Sequence, residues 1–144
     1  MQIIILAVLI LVNAYFAMTE IAYISVNDAK IAKMAKEGDK KAKKIEKMLS
    51  SPSKFLATIQ IGITFAGFFS SAFAADAFAS DLAPVLYKVT GILNLETWNT
   101  ISLFLITMIL SYFSLIFGEL FPKRIGMKYA EPIAFVTTEI IVAI

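Results

Sequence analysis

The sequence predicts an all-α membrane protein, with three transmembrane helices, a helical hairpin on the cytoplasmic face and the start of a fourth, juxtamembrane helix. All of these belong to one membrane domain over residues 1–144. Three observations predict it. The chain is 59% apolar, whereas soluble domains average about 45–50%. It contains uncharged runs as long as the hydrocarbon core of a bilayer is thick. The charged segments between those runs alternate in sign.

The first span covers Ile3 to Thr19 without a charge and resumes after Glu20 as far as Val26. It has neither a basic leader nor a convincing Ala-x-Ala site, so it reads as a span rather than a cleaved signal peptide. The segment from Asp28 to Lys54 then carries nine lysines against four acids, a net charge of +5. Within it Ile31, Met34 and Ala35 form one short helical stripe. Ala42, Ile45, Met48 and Leu49 form another, and Gly38-Asp39 separates the two. This is the pattern of a helical hairpin lying on the membrane surface. Ser51-Pro52 suits an N-cap followed by proline at the first helical position, opening the second span.

Phe55 to Ala75 is 21 residues without a charge, and Thr97 to Gly118 is 22. At about 1.5 Å per residue each spans about 30 Å, the thickness of the hydrocarbon core. Between them Lys88 faces Asp76, Asp81 and Glu96, which predicts an outer loop of net charge −2. Lys123, Arg124 and Lys128 follow the third span. A fourth apolar segment begins at Pro132, interrupted only by Glu139, and Ile144 falls inside it, as expected of a piece of a longer protein. The positive-inside rule orients the chain in the cell membrane with its N-terminus outside and the 28–54 segment in the cytoplasm. The lysines then serve topology and attraction to anionic inner-leaflet lipid, rather than nucleic acid.

The chain has no cysteine and no histidine. That removes thiolate and imidazole ligands, cysteine nucleophiles and the commonest general base. There is no Gly-rich phosphate loop and no Ser–His pairing, so nothing points to an enzyme. What remains is oxygen, which suits hard cations such as Mg²⁺, Ca²⁺ and Na⁺. Glu20 and Glu119 are acids within or at the ends of spans, where ionisable groups are costly and face a protein interior or a watery cavity. Position alone also suits a headgroup contact, aided for Glu119 by Lys123 at i+4. Small polar residues surround them: Asn13, Thr19 and Ser25 in the first span; Thr58, Gln60, Gly62, Thr64, Gly67, Ser70 and Ser71 in the second; Thr107, Ser111, Ser114 and Gly118 in the third. These serve close helix packing or, beside a carboxylate, a hard-cation site. Pro122 frees nearby carbonyls from the helix ladder.

Four segments carry a resemblance: NAYFAMTEIAYISVN (13–27), KMAKEGDKKAKK (33–44), FLATIQIGITFAGFFSSAFAAD (55–76) and FGELFPKRIGMKYAEPIA (117–134). In order and over essentially the whole chain they resemble the membrane domain of the CorC / cyclin M (CNNM) family, long called hemolysin-like. The resemblance implies a homodimeric membrane domain that transports Mg²⁺ from an inward-facing intramembrane site, with export coupled to Na⁺ influx. It implies ATP-binding cytosolic CBS domains further along the full-length protein. It also implies metal ligands: Ser25, the Gly118 carbonyl and Glu119, with Thr19 at a position where relatives often carry serine. The second span departs from the pattern, because relatives have Gly-Asn-x-x-x-Asn where this chain has Gly62-Ile63-Thr64-Phe65-Ala66-Gly67. Thr64 or Gln60 then stands in for the missing amides. That departure keeps open a second reading, a non-transporting membrane anchor or sensor that regulates other channels or transporters.

Overall fold

The computed structural model describes residues 2–92 and 94–144, the side chains of Gln2, Ala75 and Asp76 excepted. The acid of Asp76, counted above for the outer loop, therefore lies outside the described residues. Seven α-helices and one π-helical turn follow one another, with no strand among the described residues: α1 (Gln2–Ser25), α2 (Asp28–Lys36), α3 (Lys40–Leu49), α4 (Pro52–Thr90), α5 (Leu95–Leu115), the π-turn (Ile116–Leu120), α6 (Phe121–Lys128) and α7 (Ala130–Ala143). Three stretches are long and apolar enough to cross a membrane: Ile3–Ser25, Pro52–Thr90 and Leu95–Lys128.

The hairpin forms as its stripes predict. Asn27 caps α2, its side chain accepting from the Lys30 N–H at 3.0 Å. Gly38 supplies the reversal at φ 102°, a left-handed value that favours glycine. Asp39 then caps α3 by accepting from the Lys41 and Ala42 N–H groups at 2.8 and 2.9 Å. Ile31, Ala35, Ala42 and Ile45 are buried, and they join Tyr23, Val26, Phe55, Ile59, Ala134 and Ile141 in one apolar cluster. The hairpin is thus packed against α1, α4 and α7. Pro52 sits at the start of α4 as expected, but Ser51 makes no side-chain capping bond there.

The outer loop is far shorter than its charges suggest. α4 runs 39 residues to Thr90, about 58 Å at helical rise, and passes through Pro84. The stretch is rich in alanine, the strongest helix former, and Ala77, Ala79 and Ala83 are buried along it. Its charges lie on a helix, not in a loop. Termination comes only at Gly91, left-handed at φ 62°, whose N–H donates to the Tyr87 carbonyl at 2.9 Å. Asn94 then caps α5 through the Thr97 N–H at 2.8 Å.

α7 is held on α1 and the hairpin by polar contacts. The Tyr23 hydroxyl donates to the Ala134 carbonyl at 3.2 Å and lies 3.0 Å from Thr138 Oγ1. Lys30 pairs with Glu131 and Lys44 with Glu139, each at 2.7 Å, and Lys41 donates to the Phe135 carbonyl at 3.2 Å. Three of the nine lysines of the 28–54 segment therefore reach α7.

Candidate cation site at the break in the third span

The third span changes geometry at IFGEL, and the sequence explains why. A proline has no N–H, and Pro122 stands four residues after Gly118, so the Gly118 carbonyl has no donor one turn ahead. The chain widens into a π-turn in which the Phe121 N–H reaches back five residues to Ile116 O. Such single π-turns inside α-helices are frequent at functional sites.

The freed carbonyl finds a partner on another span. Asn13 Nδ2 donates to Gly118 O at 3.1 Å, in a buried contact. Glycine leaves room for that amide, because a Cβ at position 118 would lie 2.9 Å from Asn13 Nδ2 and push it off the carbonyl. With its NH₂ fixed, Asn13 leaves Oδ1 buried and without a hydrogen-bond partner, and Asn13 itself is 7% exposed.

Beside this contact a cavity of about 350 Å³ opens between α1, α4 and α5. Its polar wall consists of Asn13, Thr64, Ser70, Ser71, Thr107, Ser111, Ser114 and Glu119. Among the described residues Glu119 is its one carboxylate, and no three acids, histidines or cysteines cluster. A cation there would meet the carboxylate of Glu119 and a set of neutral oxygens, among which Asn13 Oδ1 is buried without a hydrogen-bond partner. Glu119 also has a neighbour of opposite charge: Lys123 Nζ lies 2.8 Å from Glu119 Oε1 and 3.3 Å from Glu20 Oε2. Glu20 and Glu119 are therefore joined by one ammonium.

The sequence-predicted residues divide. Thr64 and Glu119 share the cavity; Gly118 does not line it, and its carbonyl is engaged by Asn13, which does. Thr19 is fully buried within α1, its hydroxyl donating to the Tyr15 carbonyl at 2.7 Å, and does not line the cavity. Ser25 is exposed at the C-terminal end of α1 and does not line it either. Gln60 faces a separate, mostly apolar hollow with Ala57, Ile61 and Phe65, which Thr64 also borders. Asn13, Ser111 and Ser114 stood among the small polar residues of the spans. The signal that singles out Asn13 is its chemistry: a lone amide in an apolar span needs a partner across the bundle.

The glycines of the bundle separate in the same way. A Cβ on Gly62 would come within 2.8 Å of the Phe16 ring, so α1 and α4 pack closely there. Gly126 brings α6 onto α1, its would-be Cβ 2.5 Å from the Met18 carbonyl oxygen. Gly67 has open space around it and lines the cavity.

Residues 4–144 match the cyclin M transmembrane N-terminal domain. The UPF0053 protein of Synechocystis sp. is 35% identical over 88% of this chain and 28% of its own length. The UPF0053 inner membrane protein YfjD of Escherichia coli is 26% identical over 86% of this chain and 25% of its own. The polyamine export protein of Haemophilus influenzae is 27% identical over 88% of this chain and 28% of its own. The chain spans under a third of the length of these relatives.

Proposed function

The chain belongs to the cyclin M transmembrane N-terminal domain family, and from that membership we propose that it is the membrane part of a transporter moving a hard divalent cation, Mg²⁺, across the cell membrane. The observation that carries the reading is the single carboxylate of Glu119 on a cavity wall of hydroxyls and an amide, between three spans and at the π-turn of the third. Mg²⁺ gives up water reluctantly and is commonly held by one or two carboxylates with several waters retained. One acid plus neutral oxygens that hold those waters suits it without a full protein cage. Glu119 supplies the charge, while Thr64, Ser111, Ser114 and Asn13 Oδ1 supply neutral oxygens. The reading assigns no covalent chemistry to the chain.

The remaining parts of the reading follow from charge and from family resemblance. The lysine-rich hairpin faces the cytoplasm with its unengaged lysines toward anionic lipid, so Glu20, Glu119 and Lys123 lie near the inner face. Exposed aromatic side chains on α4 and α5, among them Phe65, Phe69, Phe104 and Phe113, offer a face for a second copy. Export by alternating access with Na⁺ influx, and control through ATP-binding CBS domains of the longer protein, are what the family resemblance adds.

One observation favours a second substrate class. The ammonium of Lys123 already sits on Glu119 at 2.8 Å, so an alkylammonium fits this carboxylate, and one relative is named a polyamine export protein. Flux assays in proteoliposomes separate the readings. The Mg²⁺ reading expects Mg²⁺ movement that spermidine competes with only weakly. Spermidine flux without Mg²⁺ flux selects the polyamine reading. No flux of either at any gradient selects the anchor or sensor.

A further inference from the structure

Resting on the reading of Glu119 as a cation ligand, the neighbouring charges allow one more step. Glu20 comes from α1, Glu119 from the π-turn and Lys123 from α6, so one ammonium ties together two spans. The side chains of Glu20, Lys123 and Glu119 are 18, 29 and 35% exposed. Among the described residues neither acid pairs with any other cation. The three charges sum to one negative charge, held at membrane depth where an unpaired carboxylate is costly.

We propose that Lys123 is a tethered counter-cation that competes with the transported ion for Glu119, and that Glu20 positions it by drawing it off. With no ion bound, the ammonium satisfies Glu119. A divalent cation arriving from the cavity takes that carboxylate, and Lys123 moves its weight onto Glu20, which it already touches at 3.3 Å. When the ion leaves, the same ammonium returns, so neither acid is left bare. A competitor anchored one helical turn away has a high effective concentration. A monovalent ion exchanges charge for charge against it, whereas a divalent ion brings a second charge. Lys123 is thereby a specificity-determining residue, and Glu20 acts only through it.

The test titrates MgCl₂ against thermal unfolding of the purified chain in detergent, for wild type, Lys123→Gln, Glu20→Gln and the double variant. Removing one partly shielded ion pair is expected to lower the Mg²⁺ midpoint about fivefold in Lys123→Gln. Glu20→Gln is expected to raise it about threefold, since Lys123 is then left wholly to Glu119. In the Lys123→Gln background the Glu20 substitution should change nothing. An effect of Glu20→Gln that is equal with and without Lys123 identifies a plain field effect and overturns the proposal, as does an unchanged midpoint in Lys123→Gln. If Lys123→Gln does not fold, Lys123→Arg keeps the charge and grips a carboxylate in bidentate fashion. It should weaken the Mg²⁺ response, and an unchanged midpoint again overturns the proposal. Glu119→Gln separates the two levels. A response identical in wild type and Glu119→Gln removes the site itself, whereas a response lost in Glu119→Gln with additive effects at Glu20 and Lys123 removes only the tether.

Discussion

The Asn13 amide donates to the Gly118 carbonyl at 3.1 Å, joining two spans across 105 positions of chain. Pro122 opens the way for that bond, because it has no N–H to offer the Gly118 carbonyl four residues back. Substituting Asn13→Leu removes this buried hydrogen bond to the Gly118 carbonyl. The expected cost is about 1–3 kcal/mol, read as a lowered unfolding midpoint in detergent. A midpoint equal to wild type would mean that the π-turn holds itself without Asn13.

The glycines give a paired prediction. Gly126→Ala drives a Cβ toward the Met18 backbone carbonyl, 2.5 Å away, and backbone cannot swing aside as a side chain does. α1 and α6 must separate, so the variant should unfold at a clearly lower temperature. Gly67→Ala meets nothing within 4 Å and should be neutral, or stabilised by up to about 1 kcal/mol from the entropy of the unfolded chain. Equal losses at both positions would contradict the packing described for α1 and α6.

Much of this architecture is legible in the sequence, and its failures have physical causes. The uncharged runs mark the spans, and the stripes at Ile31–Ala35 and Ala42–Leu49 mark the hairpin, because burial of one helix face leaves a periodic trace. The extension of α4 to Thr90 is masked by Asp81 and Lys88. Charge reads as loop, while the helix is set by its alanines and by the stop at Gly91. At the site, Glu119 and Thr64 could be found by chemistry along the spans. Ser25 and Thr19 rested on resemblance, and the fold puts one at a helix end and the other in a bond within its own helix. Asn13 is visible as an isolated amide, but its partner 105 positions away leaves no local mark.

Tyr23 tests how α7 is held. Tyr23→Phe keeps the ring against Phe55 but loses the hydroxyl that reaches the Ala134 carbonyl and Thr138. The expected loss is about 1 kcal/mol, with faster hydrogen exchange confined to α7. Unchanged exchange in α7 would show that its apolar face alone fixes it.

Acid should loosen the same helix. The hydrogen bond from Lys44 holds the Glu139 carboxyl below the usual carboxylate range. A depressed folded-state pKa means that the contribution is complete above the unfolded value and is lost as pH falls through the lower folded value. The difference in unfolding midpoint between wild type and Glu139→Gln should therefore be constant near neutrality and vanish below the carboxylate range. A difference that persists in strong acid would rule out the Lys44–Glu139 pair as its source.

The central claim is that Glu119, on the cavity beside the π-turn, carries the transported cation. Mg²⁺ flux through proteoliposomes holding wild type, Glu119→Asp or Glu119→Gln tests it most directly. The account predicts robust flux in wild type, reduced flux in Glu119→Asp and none above protein-free vesicles in Glu119→Gln, with all three proteins folded by unfolding midpoint. Undiminished Mg²⁺ flux in Glu119→Gln would contradict it.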